Sequence, residues 1–480
     1  MTLKELLTAV ETVEISGDTS CDITGIVYDS RRAVPGSLFV ALHGEKADGA
    51  AYVEDAIQRG AAAVVSQTPC ASGGSFPCVQ VADARLALAK LAGRFFGHPS
   101  ARLCTIGITG TNGKTTVSFM LREIFKAAGR KPGLIGTVRY EIGDRIIPAS
   151  RTTPEAPDLK NMFMQMDRSG CDSMVMEVSS HALAQHRVHG ILYDAAVFTN
   201  LTQDHLDYHG TLEEYFGVKC RLFSQVRRYA VINRDDLWGC RLLNETRLTT
   251  RCVSYGFDPC AEVRGHDAVS DANGSRMHVT STWGNADISL KLIGRFNLCN
   301  ALAAFATAAA LGIPVEIIVK ALAGMENVPG RLEPVPNTKG KHIYVDYAHT
   351  DDALNNVLQT LRDITPGKLV VVFGCGGNRD KGKRPLMGKV AARLADYSII
   401  TNDNPRNEIP EKIAADIAGG FDSERKYEIV LDRKAAIARG LELIGKKDIL
   451  LVAGKGHETY QEFNGAIFPF DDREVVREAL

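Results

Sequence analysis

The run Leu103-Cys104-Thr105-Ile106-Gly107-Ile108-Thr109 enters the turn Gly110-Thr111-Asn112-Gly113-Lys114-Thr115-Thr116, and no other stretch constrains the chain as tightly. A short apolar run feeding a Gly-rich turn reads as a strand. Val117, Met120, Leu121, Ile124 and Phe125 then share one face of a helix, with Gly129 as its stop. Strand, glycine turn, Lys-Thr and helix is the layout of a phosphate-binding loop. The glycines let backbone N–H groups turn toward an anion, and the helix N-terminus adds partial positive charge. In such a loop Lys114 reaches the outer phosphates and the Thr115 hydroxyl ligates Mg²⁺. The spacing departs from the strict pattern, because Ile108 and not Gly stands five positions before Gly113. The nucleotide candidates are Gly110, Thr111, Asn112, Gly113, Lys114, Thr115 and Thr116.

Around this loop the chain alternates strand and helix patterns, the mark of parallel α/β sheets. At 480 residues it is long enough for about three domains. Residues 1–98 read as a small α/β unit with apolar runs at 23–27, 37–41 and 61–66, followed by a linker at His98-Pro99-Ser100. Residues 99–332 read as a central parallel-sheet ATPase domain, with strands at 104–109, 173–178, 195–199 and 230–233. An antiparallel appendage is expected over 263–290, and a buried helix over 297–311. Residues 333–480 read as a doubly wound, Rossmann-like domain with strands at 343–346, 369–373, 398–401, 428–431 and 449–453. Leu354, Val357, Leu358 and Leu361 form the buried stripe of one of its helices.

Charge and composition exclude several classes. A net charge of −1 gives no reason to expect a nucleic-acid or anionic-membrane partner. No apolar run is long enough to span a bilayer. Eleven scattered cysteines without a CxxC pair, and the lack of a signal peptide, point to reduced thiols and a cytoplasmic location.

The chemistry gathers at strand ends, where open α/β sheets bind ligands. The 173–178 strand ends in Glu177-Val178-Ser179-Ser180-His181, and a carboxylate there is placed to hold Mg²⁺. Asp204-His205-Leu206-Asp207-Tyr208-His209 follows the third strand. His205 and His209 could share a helix face and bind zinc, but no third ligand of suitable spacing stands nearby, so a phosphate or Mg²⁺-shell role is preferred. The C-terminal strands end in Asp346-Tyr347-Ala348-His349, the run 374–385, Asp403-Asn404-Pro405-Arg406 and Gly454-Lys455-Gly456-His457-Glu458. The 374–377 glycines lack dinucleotide spacing. With no guanine-reading Asn-Lys-x-Asp, ATP is favoured over GTP. Kinase or ligase chemistry with domain closure follows, with an ATP-gated binding module as the non-enzymatic alternative. A ligase releases both ADP and phosphate, whereas a kinase releases ADP without free phosphate.

Gly110–Thr116, Glu177-Val178-Ser179-Ser180-His181, Thr199-Asn200-Leu201 with Asp204-His205, Asn297, Asn300, Arg331 and Asp346-Tyr347-Ala348-His349 together resemble the Mur ligase family, in its order and across essentially the whole chain. Within it, Asp29-Ser30-Arg31 and Asp403-Asn404-Pro405-Arg406 are similar to the branch that adds meso-diaminopimelate to UDP-N-acetylmuramoyl-L-alanyl-D-glutamate. The resemblance implies a peptidoglycan-precursor ligase, serving cell shape and division, that phosphorylates the D-glutamyl γ-carboxylate with ATP. An amine then attacks the acyl phosphate.

The resemblance also assigns roles. Lys114, Lys219 and His205 would be catalytic, and Asn297, Arg331 and Asp346 would join the loop in binding ATP. Ser30, Thr152, Thr153, Ser179, Gln185 and Arg187 would contact the UDP-linked substrate. Thr115, Glu177, His205 and Lys219 would serve Mg²⁺, Lys219 as a carbamate. Taken alone, Lys219 in a helix reads as a solvated charge, and Thr152-Thr153 before Pro154 reads as a helix N-cap. Carbamylation requires a neutral amine, so Lys219 is expected to be buried. Arg379, Asp403, Asn404, Pro405, Arg406, Gly454 and Glu458 would bind diaminopimelate, with Arg406 gripping its extra carboxylate. A solvated turn is the competing reading at 403–406. A lysine-adding ligase is the functional alternative. The expected assembly is a monomer with small-molecule substrates.

Overall fold

The computed structural model describes residues 1–480 except 45–47, 70–75, 246–247, 249, 423–425 and the side chain of 245. The described chain forms two compact units, one of residues 1–109, 130–196 and 218–228, the other of 110–129, 197–217 and 229–480.

The first unit begins with a five-stranded sheet in the order Glu14–Ser16, Cys78–Gln80, Ala61–Ser66, Ser37–Val40, Gly25–Val27. It is parallel except for the antiparallel 14–16 edge. Its strands alternate between two cores. Leu38, Val40, Ala63 and Val65 pack with Leu88 and Leu91 of the helix Ala84–Phe95, while Phe39 and Val64 pack with Ala56 on the other face. The same unit holds Ser173–Glu177 between Cys104–Thr109 and Pro132–Ile135, parallel to both. Arg139–Ile142 and Arg145–Pro148 extend this run as an antiparallel hairpin around Gly143 at φ +59.

The second unit opens with the helix Lys114–Ala127, ended by Ala128 and by Gly129 at φ +76. Strand residues 229–233 pair in parallel with Arg251–Gly256, and the appendage is Val263–Asp271, Gly274–Thr280 and Ala286–Leu290, antiparallel as expected. The buried Ala-rich helix runs Arg295–Ala310.

The six-stranded C-terminal sheet is ordered Glu333–Pro334, His342–Asp346, Ile449–Ala453, Leu369–Phe373, Tyr397–Ile400, Tyr427–Ile429, all parallel beyond the first pair. Leu369, Val371 and Phe373 face Leu354, Val357, Leu358 and Leu361, whereas Val370 and Val372 face Ile437, Leu441 and Val476. Helices therefore cover both faces, the doubly wound arrangement.

Some expectations need correction. The third and fourth central strands start earlier, at Tyr193 and Val226, and Thr199 lies beyond its strand. The helix after Pro154 is capped at Glu155, without a side-chain bond, so Thr152 and Thr153 are not N-caps. The described cysteines other than Cys78 are free thiols. No described helix is long and apolar enough to cross a membrane.

Candidate active site

The phosphate loop follows from its glycines. Gly110 and Gly113 hold φ +149 and +87, conformations that side chains resist. A Cβ at Gly110 would overlap the Thr199 hydroxyl, and one at Gly113 would lie 2.5 Å from Asn300 Oδ1. Gly113 caps the 114–127 helix and offers no side chain to the first-turn N–H groups, the donors an anion takes. The segment 199–202 braces the loop from beneath. Thr111 N donates to the Asn200 carbonyl (2.9 Å), Asn112 N to Asn200 Oδ1 (2.9 Å), and the Thr199 hydroxyl to the Asn112 carbonyl (2.6 Å). Asn112 Nδ2 donates to Asp352 at 2.8 Å. Lys114 Nζ curls over the loop onto the carbonyls of Gly110 (2.9 Å) and Thr111 (2.7 Å). These glycine cradles, a lysine and a bare helix N-terminus fit a triphosphate.

Arg331 reaches the same loop. Its Nη2 donates to the Thr115 hydroxyl at 3.0 Å, and its guanidinium lies 4.8 Å over the Tyr347 ring. Asp346 is buried and accepts from Leu332 N (2.6 Å) and Ala348 N (2.7 Å), so it shapes the 330–332 turn directly. Burial pushes its carboxyl up, opposed by Arg331. Asn297 is buried too, donating to the Ile293 carbonyl and accepting from Asn300. Thr116 is buried in the first helical turn.

His205 caps the short helix Leu206–His209 at φ +54, with Nε2 3.3 Å from Asp204. Burial raises the Asp204 carboxyl, but the fields of His205, His349, Lys383 and Lys114 outweigh it and hold the group below its usual value. Burial and Lys383 push the His349 imidazole down to about 4. His209 stacks on Tyr215, with centroids 4.9 Å apart, and the His205 ring meets the same Tyr215 edge-on at 6.5 Å. Among the described residues, no three His, Cys, Asp or Glu side chains form a metal cage. Mg²⁺, which keeps waters and substrate phosphates as ligands, needs no such cage.

In the first unit, fully buried Glu177 accepts from Thr137 N (2.8 Å) and the Thr137 hydroxyl (2.9 Å), which lies 3.1 Å from the Thr152 hydroxyl. Thr153 Oγ1 donates to the Glu177 carbonyl (2.8 Å) and accepts from Ser179 N (3.1 Å). Ser179 in turn caps the helix Ser180–Ala184. Arg187 ties this knot to Gln185 (2.6 Å), the Thr153 carbonyl (3.0 Å) and Glu155 (3.0 Å). Thr152, Thr153, Glu177, Ser179, Gln185 and Arg187 are thus one network. Ser30 is buried at the start of the 3₁₀ turn Ser30–Arg32 that Asp29 caps. Lys219 is buried, 1% exposed, in the helix Leu212–Cys220.

The C-terminal strand ends converge. Arg406 is not a solvated turn residue. At φ +53 its Nη1 donates to the Gly377 carbonyl (2.8 Å) and its Nε lies 3.1 Å from Glu462. Gly377 N donates to the Asn404 carbonyl at 2.9 Å, and a Cβ at Gly377 would overlap the Pro405 carbonyl. Gly454 sits at φ +114, where a Cβ would lie 2.6 Å from Asp403 Oδ2. Asn404 Nδ2 donates to Glu458 at 3.0 Å. Lys455, which the sequence reading passed over, is fully buried and bonds Asn404 (3.1 Å) and Glu458 (3.0 Å). Burial raises the Glu458 carboxyl, opposed by Lys455. Arg379 remains exposed and makes no hydrogen bond among the described residues. Lys383 and Asp352 were also missed. In sequence, each is an ordinary helix-start charge.

Three family models match in chain order: "Mur ligase family, catalytic domain" over residues 22–96, "Mur ligase middle domain" over 108–308, and "Mur ligase, glutamate ligase domain" over 330–456. The chain is 44% identical to a UDP-N-acetylmuramoyl-L-alanyl-D-glutamate--2,6-diaminopimelate ligase of Caldanaerobacter subterraneus subsp. tengcongensis, covering 100% of this chain and 99% of the relative. It is 45% identical to the enzyme of that name from Geobacillus kaustophilus, covering 96% and 95%. A solved structure of a ligase of the same name superposes with TM-score 0.71 at 34% identity, covering 100% and 98%.

Proposed function

The chain belongs to the Mur ligase family, and from that premise we infer that it joins meso-diaminopimelate to the D-glutamyl γ-carboxylate of UDP-N-acetylmuramoyl-L-alanyl-D-glutamate. It is an ADP-forming, amide-forming ligase of peptidoglycan precursor synthesis. The observation that carries the acceptor is the match, over the whole chain, to relatives named as 2,6-diaminopimelate ligases. The domains of this reading divide near 98/99 and 332/333. A monomer working in the cytoplasm, serving cell shape and division, completes it.

A carboxylate is a poor electrophile for an amine, and phosphorylation by ATP gives its oxygen a good leaving group. The chain's task is then positioning and charge stabilisation. Gly110–Thr116 cradle the phosphates. Lys114, already bent over the loop, places its charge toward the transferring phosphoryl group. Arg331, Asn297 and Asp346 support the nucleotide, Asp346 by holding the 330–332 turn that carries Arg331. Mg²⁺, when bound, neutralises phosphate charge; Thr115, Glu177 and His205 would hold it. Lys219 is buried, and a carbamate on it would serve a second Mg²⁺. The 152–153, 177–179 and 185–187 network, with Ser30, would hold the UDP-linked substrate.

For the acceptor, Asp403, Asn404, Pro405, Gly454 and Glu458 form the floor, and Arg379 the exposed rim. Arg406 would present its fork to the carboxylate that lysine lacks, which favours diaminopimelate over the lysine-adding alternative. The test is phosphate release from ATP and the UDP-linked dipeptide with each amino acid in turn. Release that depends on diaminopimelate is expected; equal kcat/KM with lysine would overturn the acceptor assignment. ADP formation without free phosphate would overturn the ligase reading.

A further inference from the structure

Arg433 and Asp472 are both fully buried and joined by two bonds, Nε to Oδ1 at 2.7 Å and Nη2 to Oδ2 at 2.8 Å. Arg433 opens the helix Arg433–Leu443 and Asp472 opens the helix Asp472–Ala479. The guanidinium has further donors. Nη1 donates to the Asn402 carbonyl at 3.2 Å, and Nη2 to the Ala453 carbonyl at 3.0 Å.

Those two carbonyls belong to the residues immediately before Asp403 and Gly454, where the two turns of the amino-acid pocket begin. Their strands, Tyr397–Ile400 and Ile449–Ala453, are not neighbours, because Leu369–Phe373 lies between them. Two strand spacings set them roughly 10 Å apart. A planar fork held by a bidentate carboxylate can bond both carbonyls at once in one fixed geometry, which a flexible ammonium cannot. Asp403 and Glu458 also act electrostatically on Arg433. Stability alone does not call for the pair, since apolar residues of similar volume commonly replace a buried ion pair at no loss.

We propose that Arg433, locked by Asp472, is a positioning residue for the acceptor site, fixing the separation of the 403–406 and 454–458 turns across the intervening strand. The proposal rests on the acceptor-site reading above.

The experiment measures phosphate release by the full-length enzyme with ATP, the UDP-linked dipeptide and diaminopimelate varied in turn. The variants are Arg433→Lys, Asp472→Asn and the double variant Arg433→Met with Asp472→Leu. The double variant removes both charges together and leaves neither buried alone. The KM for diaminopimelate is expected to rise about tenfold or more, as displacement of a positioning group by a fraction of an ångström allows. The KM values for ATP and the UDP-linked dipeptide should stay within about twofold, and circular dichroism should report an intact fold. An unchanged KM for diaminopimelate in any folded variant overturns the proposal. So does an equal rise in all three KM values, or loss of fold in all three variants, which would leave the pair a purely structural role. If the wild type turns over a different amino acid, the acceptor assignment fails separately, and the KM for that amino acid tests the pair in the same way.

Discussion

At the scale of residues, several cations of the proposed site are held in place by carbonyls. Lys114 is bent onto the carbonyls of Gly110 and Thr111, so its charge is in place before substrate arrives. Lys114→Ala should cost about 3 kcal/mol or more in kcat, the scale of losing a preorganised charge partner, read at saturating ATP. Lys219→Ala should be nearly inactive and partly rescued by small carboxylate anions; a folded variant with no rescue would remove the carbamate role. Arg406→Ala leaves Glu462 without its 3.1 Å partner and removes the fork. Its expected signature is a raised KM for diaminopimelate and erosion of a preference over lysine that can reach roughly 10⁴-fold, measured as the ratio of kcat/KM values. Charged residues were also where sequence reading failed. Lys455, Arg433 and Asp472 look like solvated charges in a row of letters. Only burial, which depends on distant elements, shows that they are internal.

At the scale of elements, legibility followed burial. Parallel strands covered on both faces are short apolar runs bounded by polar residues, so the strands at 104–109, 369–373 and 449–453 could be read to the residue. The 132–148 meander was missed because its outer strand is largely exposed and carries little apolar signal. Its Gly143-Asp144 pair was the available hairpin signal. The phosphate loop could be located from sequence, but its support could not, since Thr199, Asn200 and Asn300 are far along the chain. That support makes a prediction. Gly113→Ala combines a left-handed φ of +87 with a Cβ 2.5 Å from Asn300 Oδ1. It should raise the KM for ATP well above that for diaminopimelate, and adding Asn300→Ala should recover part of the loss.

At the scale of the molecule, the order of the three family domains was readable from spaced motifs, because each domain carries its own strand-end chemistry. Stability against acid was not readable, since it depends on how deeply each ionisable group is enclosed. His349 is held down to about 4 from an ordinary 6.5, by burial and by Lys383. Below about pH 6.5 the unfolded chain takes up a proton here that the folded chain refuses. Stability present at neutral pH is therefore lost as the pH falls toward 4, by about 2 kcal/mol at pH 5. Denaturant midpoints at pH 7.5 and 5 should show this loss in the wild type and a smaller one in His349→Gln.

The glycine at 454, pressed against Asp403, and the one at 377, pressed against the Pro405 carbonyl, leave no room for even a methyl group at the floor of the proposed acceptor site. On that reading, descendants that come to use a different diamine must change at exposed Arg379 and at partly buried Arg406, and a library randomised there should yield new acceptors where one randomised at the two glycines yields only inactive protein.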